Sequence, residues 1–144
     1  MSAKPSLTLQ RRLDAAPQTV FSAWTDPQKL VRWWGPGEIE ASLAEVDLRV
    51  GGRFRILMRS PDGEDYDVSG EYREVVPDQK LVFTWAWRST PERQSLVTIV
   101  FRREGSGTLL SLTHEQFFDE AARDHHLAGW MNLLDKLPQF LALP

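Results

Sequence analysis

Between Glu38 and Phe117 one pattern recurs: a short segment of alternating apolar and polar residues, then a turn. In "RFRILMRS", Phe54, Ile56 and Met58 fall on one face and Arg53, Arg55 and Arg59 on the other. "KLVFTWAW" aligns Leu81, Phe83, Trp85 and Trp87. "YDVSGEYREVV", "LVTIVFRR" and "TLLSLTHEQF" continue the series, and "EIEASLAEVDL" is its least regular member. A period of two is the signature of a strand with one buried face. Gly51-Gly52, "PDGED", Pro77-Asp78, "STPERQ" and "EGSG" separate the segments, each with residues that favour tight turns. Connections this short exclude parallel βαβ units, so the pattern predicts an antiparallel meander.

The flanks read differently. "SLTLQRRL" reads as a first strand, which makes about seven in all, and residues 1–6 read as a flexible tail. Pro17 and Pro27 stand where a first helical turn tolerates proline, and Asp26 suits an N-cap. Two short helices are therefore expected before Gly35-Pro36-Gly37. Val20, Phe21 and Trp24 share the apolar face of one; Leu30, Trp33 and Trp34 share that of the other. From Asp119 onward the period changes. Leu127, Trp130, Met131, Leu134, Leu137 and Leu141 recur at helical steps, with Pro138 predicting a loosened turn near Leu134.

The sheet has one aromatic face and the long helix one apolar stripe, and each must bury against the other. A curved sheet wrapped on a helix about 10–12 Å across leaves part of its concave side unfilled. The space left is an aromatic-lined pocket. The 144 residues suit one domain, expected over residues 7–142. Cysteine is absent, which removes disulfides and thiolate chemistry. The net charge is −3 without a basic stripe, so a nucleic-acid partner is not expected. No apolar run approaches the ~20 residues of a membrane span, and a cytoplasmic location is the expectation.

Four stretches carry a resemblance: "VFSAWTDPQKLVRWWGP", "DLRVGGRFRILMRSPDGEDYDVSGEYREVVPDQKLVFTW", "TLLSLTHEQF" and "HHLAGWMNLLDKLPQFL". In this order they resemble the family named for homology to the activator of the heat-shock-protein-90 ATPase. That family lies in the START-like, or SRPBCC, superfamily with the birch-pollen allergen and polyketide cyclases. The resemblance runs from about Leu7 to Leu141. It implies an α+β helix-grip fold, a seven-stranded antiparallel sheet gripping the C-terminal helix over a cavity. Relatives bind lipids, hormones or polyketides, and some are cyclases or hydrolases. Fold alone does not choose among these.

Strand parity and helix face supply the candidate site residues. Phe54, Ile56, Met58, Tyr72, Phe83, Trp85 and Trp87 come from the sheet, and Trp130 and Leu134 from the last helix. Trp33 and Trp34 precede the Gly-Pro-Gly break; one is expected to plug the closed end and the other to shut the pocket mouth. Core packing competes with cavity lining for all of them, most strongly for Trp24 and Phe83. His114 and Glu74 share parity with the concave face and are the weak acid–base candidates. Adjacent His125 and His126 point about 100° apart on a helix, so neither a metal site nor any cofactor is expected.

The leading expectation is a protein that binds an apolar or aromatic small molecule in the cavity. The alternatives are a cyclase- or hydrolase-like enzyme acting through Glu74 or His114, and an interaction module for a chaperone. The last needs an exposed patch that the sequence does not supply. A homodimer would use an edge strand or an exposed aromatic.

Overall fold

A computed structural model describes residues 4–143. The strands are β1 (Leu7–Leu13), β2 (Glu40–Val46), β3 (Arg53–Arg59), β4 (Asp65–Val76), β5 (Lys80–Trp87), β6 (Ser95–Glu104) and β7 (Gly107–Glu115). The helices are α1 (Pro17–Thr25) and α2 (Pro27–Trp33) after β1, and α3 (Glu120–Leu141) at the end. All seven strands form one antiparallel sheet in the order β1-β7-β6-β5-β4-β3-β2, curled into a half-barrel around α3. This is the antiparallel meander expected from the alternation, in the helix-grip arrangement that the resemblance implies. Of the expected tail, residues 1–3 lie outside the described residues, and the Pro5 carbonyl accepts the Phe117 N–H at 3.3 Å.

Local chemistry sets the element ends. Asp26 accepts the Gln28 N–H at 2.9 Å, which caps α2, and Asp119 accepts the Ala122 N–H at 2.8 Å, which caps α3. Trp34 stands just past α2 with extended backbone, not on the helix. The helix α3 continues through Pro138 to Leu141. Gly35 adopts φ 131°, and a Cβ there would press on the Ile39 carbonyl, so the break beside the paired indoles needs glycine.

Two local features set β4 apart. A Cβ on Gly70 would lie 1.8 Å from the Thr84 carbonyl oxygen, so the backbones of β4 and β5 meet where a side chain cannot fit. Two residues later the β4–β5 register shifts between Tyr72 and Glu74. That bulge exchanges the two faces for the remaining residues of the strand. Tyr72 lies opposite the buried Phe83, whereas Glu74 lies opposite Val82, on the convex side. Strand parity put Glu74 inside; the bulge puts it outside, where its carboxylate meets Lys80 Nζ at 3.3 Å.

The core lies between sheet and helices. Val97, Ile99, Leu110 and Leu112 from β6 and β7 meet Leu134 and Leu137 from α3, all fully buried. The backbone of α3 comes closest to β1, α2 and α1. Only side chains bridge it to Trp85 and Trp87 of β5. The helix therefore sits to one side of the half-barrel, and a cleft opens on the other.

Candidate functional site

The six tryptophans form one connected chain of rings. Trp24 touches Trp33 and Trp34 with centroids at 5.1 and 5.5 Å. Trp34 meets Trp130 at 5.7 Å, Trp130 meets Trp85 at 5.1 Å, and Trp85 meets Trp87 at 5.6 Å. The chain runs from the packed end under α1 to an open cleft between α3 and the β3–β5 side of the sheet. That cleft has a volume of about 1020 Å³. Small-molecule sites usually span roughly 300–1,000 Å³, so it is large for the purpose.

The expected site residues divide into three groups. Trp34, Met58, Trp85, Trp87 and Trp130 line the cleft. Phe54, Ile56, Tyr72 and Phe83 instead surround a void of about 20 Å³, room for about one water and no ligand. Trp33, Leu134 and His114 border neither space and belong to the packed interior. The paired indoles thus separate. Trp33 faces inward and donates its N–H to the Ala23 carbonyl at 2.9 Å, while Trp34 forms cleft wall.

His114 is a structural hub. An indole N–H only donates, so Trp130 Nε1 at 2.9 Å makes His114 Nδ1 the acceptor. The ring proton is therefore on Nε2, which donates to Ser95 Oγ at 2.7 Å. The Ser95 hydroxyl donates in turn to the Trp85 carbonyl at 3.3 Å. Burial, reinforced by nearby His126, pushes the His114 pKa down to about 2. With both nitrogens engaged and the ring sealed from solvent, His114 has no route to a substrate. Burial likewise raises the Tyr72 hydroxyl pKa.

Other residues take the wall positions. One is His126, weighed in the sequence only as a metal ligand: its Nδ1–H donates to the Ala122 carbonyl at 2.7 Å and its Nε2 accepts the Trp87 N–H at 2.9 Å. This pair spans the space between helix and sheet. Burial lowers the His126 pKa, His125 lowers it further, and the Ala122 carbonyl opposes both. His125, Gly129, Asn132 and Leu133 continue the helical wall, at spacings a helix-face reading could have picked out. At the rim Arg55 grips Asp67 through two hydrogen bonds at 3.1 and 2.9 Å, and Arg88 stands 3.8 Å from the same carboxylate. The Asp67 hydrogen bonds are the main cause of a raised Arg55 pKa. Among the charged groups lining the cleft, Arg55 and Arg88 balance Asp65 and Asp67.

Three indole N–H groups donate within the protein: those of Trp33, Trp87 and Trp130. Among the described residues, those of Trp24 and Trp85 are sealed without an acceptor. Among the described residues no group of three or more His, Asp or Glu is placed to hold a metal ion, and no helix is long and apolar enough to cross a membrane.

Comparison with known proteins decides the family. The family model described as Activator of Hsp90 ATPase homolog 1-like protein matches residues 14–142. The chain belongs to that family. Among solved structures of this kind, protein CV1439 from Chromobacterium violaceum superposes with a TM-score of 0.88 at 25% identity, over 96% of this chain and 98% of its own. The AHSA1 protein of Silicibacter pomeroyi gives 0.84 at 30% identity, over 96% and 98%. CalU16 from Micromonospora echinospora gives 0.70 at 31% identity, over 95% of this chain and 76% of its own. No curated protein matches the chain. Membership of the Hsp90-activator-homologue family, with a curled sheet and a buried aromatic cluster, is compatible with binding a hydrophobic ligand.

Proposed function

We propose that this protein binds an uncharged, largely apolar small molecule in the cleft between α3 and strands β3–β5. The observation that carries this reading is the cleft itself, about 1020 Å³ with Trp34, Trp85, Trp87 and Trp130 in its walls. A protein interior is normally close-packed, and a space this size beside a dense core leaves apolar surface for a guest to cover. Binding would draw on ~25 cal/mol per Å² of apolar area removed from water, before the costs of association. The charged rim is internally paired, with Arg55, Arg59 and Arg88 set against Glu45, Asp65 and Asp67, so it offers no unbalanced charge for an ionic guest.

The enzymatic alternative loses its two acid–base candidates. Glu74 faces outward against Lys80, and His114 is sealed with both nitrogens engaged. Binding without chemical change is therefore the preferred reading.

The test is a titration with N-phenyl-1-naphthylamine, a neutral apolar fluorophore. Saturable uptake at about one molecule per chain is expected, with quenching of tryptophan emission. Trp87→Ala removes cleft wall and is expected to weaken uptake by about tenfold, the scale of one lost apolar contact. Phe83→Leu alters the core and should lower stability while leaving uptake unchanged. Equal affinity in Trp87→Ala and wild type would place the bound probe elsewhere.

A further inference from the structure

The wall formed by α3 has an unexpected centre. Gly129 lines the cleft, and Ala122, His125, His126, Asn132 and Leu133 flank it at spacings of three, four and seven residues. These spacings put all six on one helix face with Gly129 in the middle. Glycine in a helix interior weakens the helix relative to alanine, and nothing in the protein's own packing requires it here. Apart from its own turn of helix, a Cβ built on Gly129 meets no atom within 4 Å, and its φ is not in the left-handed range. Gly70 and Gly35 are glycines because the chain itself fills the space; at Gly129 the space is open.

The sheet side of the cleft contributes aromatic rings among its charged and aliphatic residues. Tyr66 and Trp87 stand edge to face with centroids at 6.5 Å, and both line the cleft. The Trp87–His126 hydrogen bond fixes the indole against the helix, with the two rings 6.0 Å apart. Trp87 therefore cannot swing away to admit a thick guest without losing that bond. The cleft therefore has an indole held in place on its sheet side and a helix wall without a side chain at its centre.

We infer that the cleft contains a slot for a flat, ring-bearing neutral molecule, which lies between Trp87 and the bare backbone at Gly129, with Gly129 setting the width of the slot. This rests on the binding reading above and narrows it. A flexible alkyl chain can bend around a methyl group; a rigid ring system cannot, so only the flat class depends on this glycine.

Two alcohols of equal carbon number separate the classes: 2-naphthol, flat and rigid, and 1-decanol, linear and flexible. Their uptake by wild type, Gly129→Ala and Gly129→Leu is measured by equilibrium dialysis, with thermal melts alongside. Gly129→Ala is expected to melt higher than wild type, so a loss of binding there is not a loss of folding. It should weaken 2-naphthol by about tenfold while leaving 1-decanol within about twofold, and Gly129→Leu should abolish 2-naphthol uptake. Equal or stronger binding of 1-decanol by wild type, or a Gly129→Ala protein that binds 2-naphthol unchanged, overturns the slot. Wild type that takes up neither alcohol overturns it too. If N-phenyl-1-naphthylamine still binds in that case, the cleft reading survives; if it also fails, both fall together.

Discussion

His114 has a titration curve that stability measurements can read. Folded, it stays neutral to about pH 2; unfolded, it takes a proton near its ordinary value of 6.5. Below that value the unfolded chain binds more protons than the folded one, so stability falls as the pH drops and is level above it. One such histidine costs about 1.4 kcal/mol on going from neutral pH to about 5.5. His126 shifts in the same direction and adds to the slope. Urea midpoints should therefore decline between about pH 6.5 and 5, where few carboxylates have yet titrated. In His114→Gln the amide can replace part of the hydrogen bonding but cannot titrate. Its stability at neutral pH is expected to be lower by ~1–3 kcal/mol, and its acid slope flatter than that of wild type. An unchanged slope would mean His114 is not the group responsible. Parity marked His114 correctly as inward-facing, but sequence does not reveal that Trp130 and Ser95 occupy both of its nitrogens. Those partners are 16 and 19 residues away along the chain.

At the scale of elements, β4 decides the fate of Glu74 and brings its backbone hard against β5 at Gly70. Gly70→Ala would drive a methyl group into the Thr84 carbonyl and the Phe54 ring. That substitution is expected to cost upward of about 3 kcal/mol or prevent folding, judged by denaturant midpoint or soluble yield. A loss under about 1 kcal/mol would mean the strands relax easily there. Strand identity, turn positions, the helix cap at Asp26, the change of period at Asp119 and the α+β order were all legible, because alternation, turn chemistry and capping are local. The bulge after Tyr72 was not, because one extra residue leaves no mark in a two-residue pattern yet exchanges the faces of everything beyond it. The same limit hid the division of the aromatic face, where Phe54, Tyr72 and Phe83 fill the core while Met58, Trp85 and Trp87 reach the cleft.

For the whole molecule, the cleft is a consequence of where α3 lies. Its apolar stripe, including Trp130, Leu134 and Leu137, seals against the core. The neighbouring face, centred on Gly129, is left looking at β3–β5 across open space. The sequence foretold a cavity from the mismatch between a broad curved sheet and one narrow helix. It did not foretell that the cavity would lie to one side, with histidines and a glycine for a wall. The most direct test of the central claim is native mass spectrometry of freshly purified protein, with solvent extraction and identification of any molecule released. A neutral apolar molecule held at about one per chain, and lost in Trp87→Ala, is the result the account predicts. Protein that emerges empty and takes up none of the neutral apolar probes added to it would contradict the account, and the cleft would then be no ligand site.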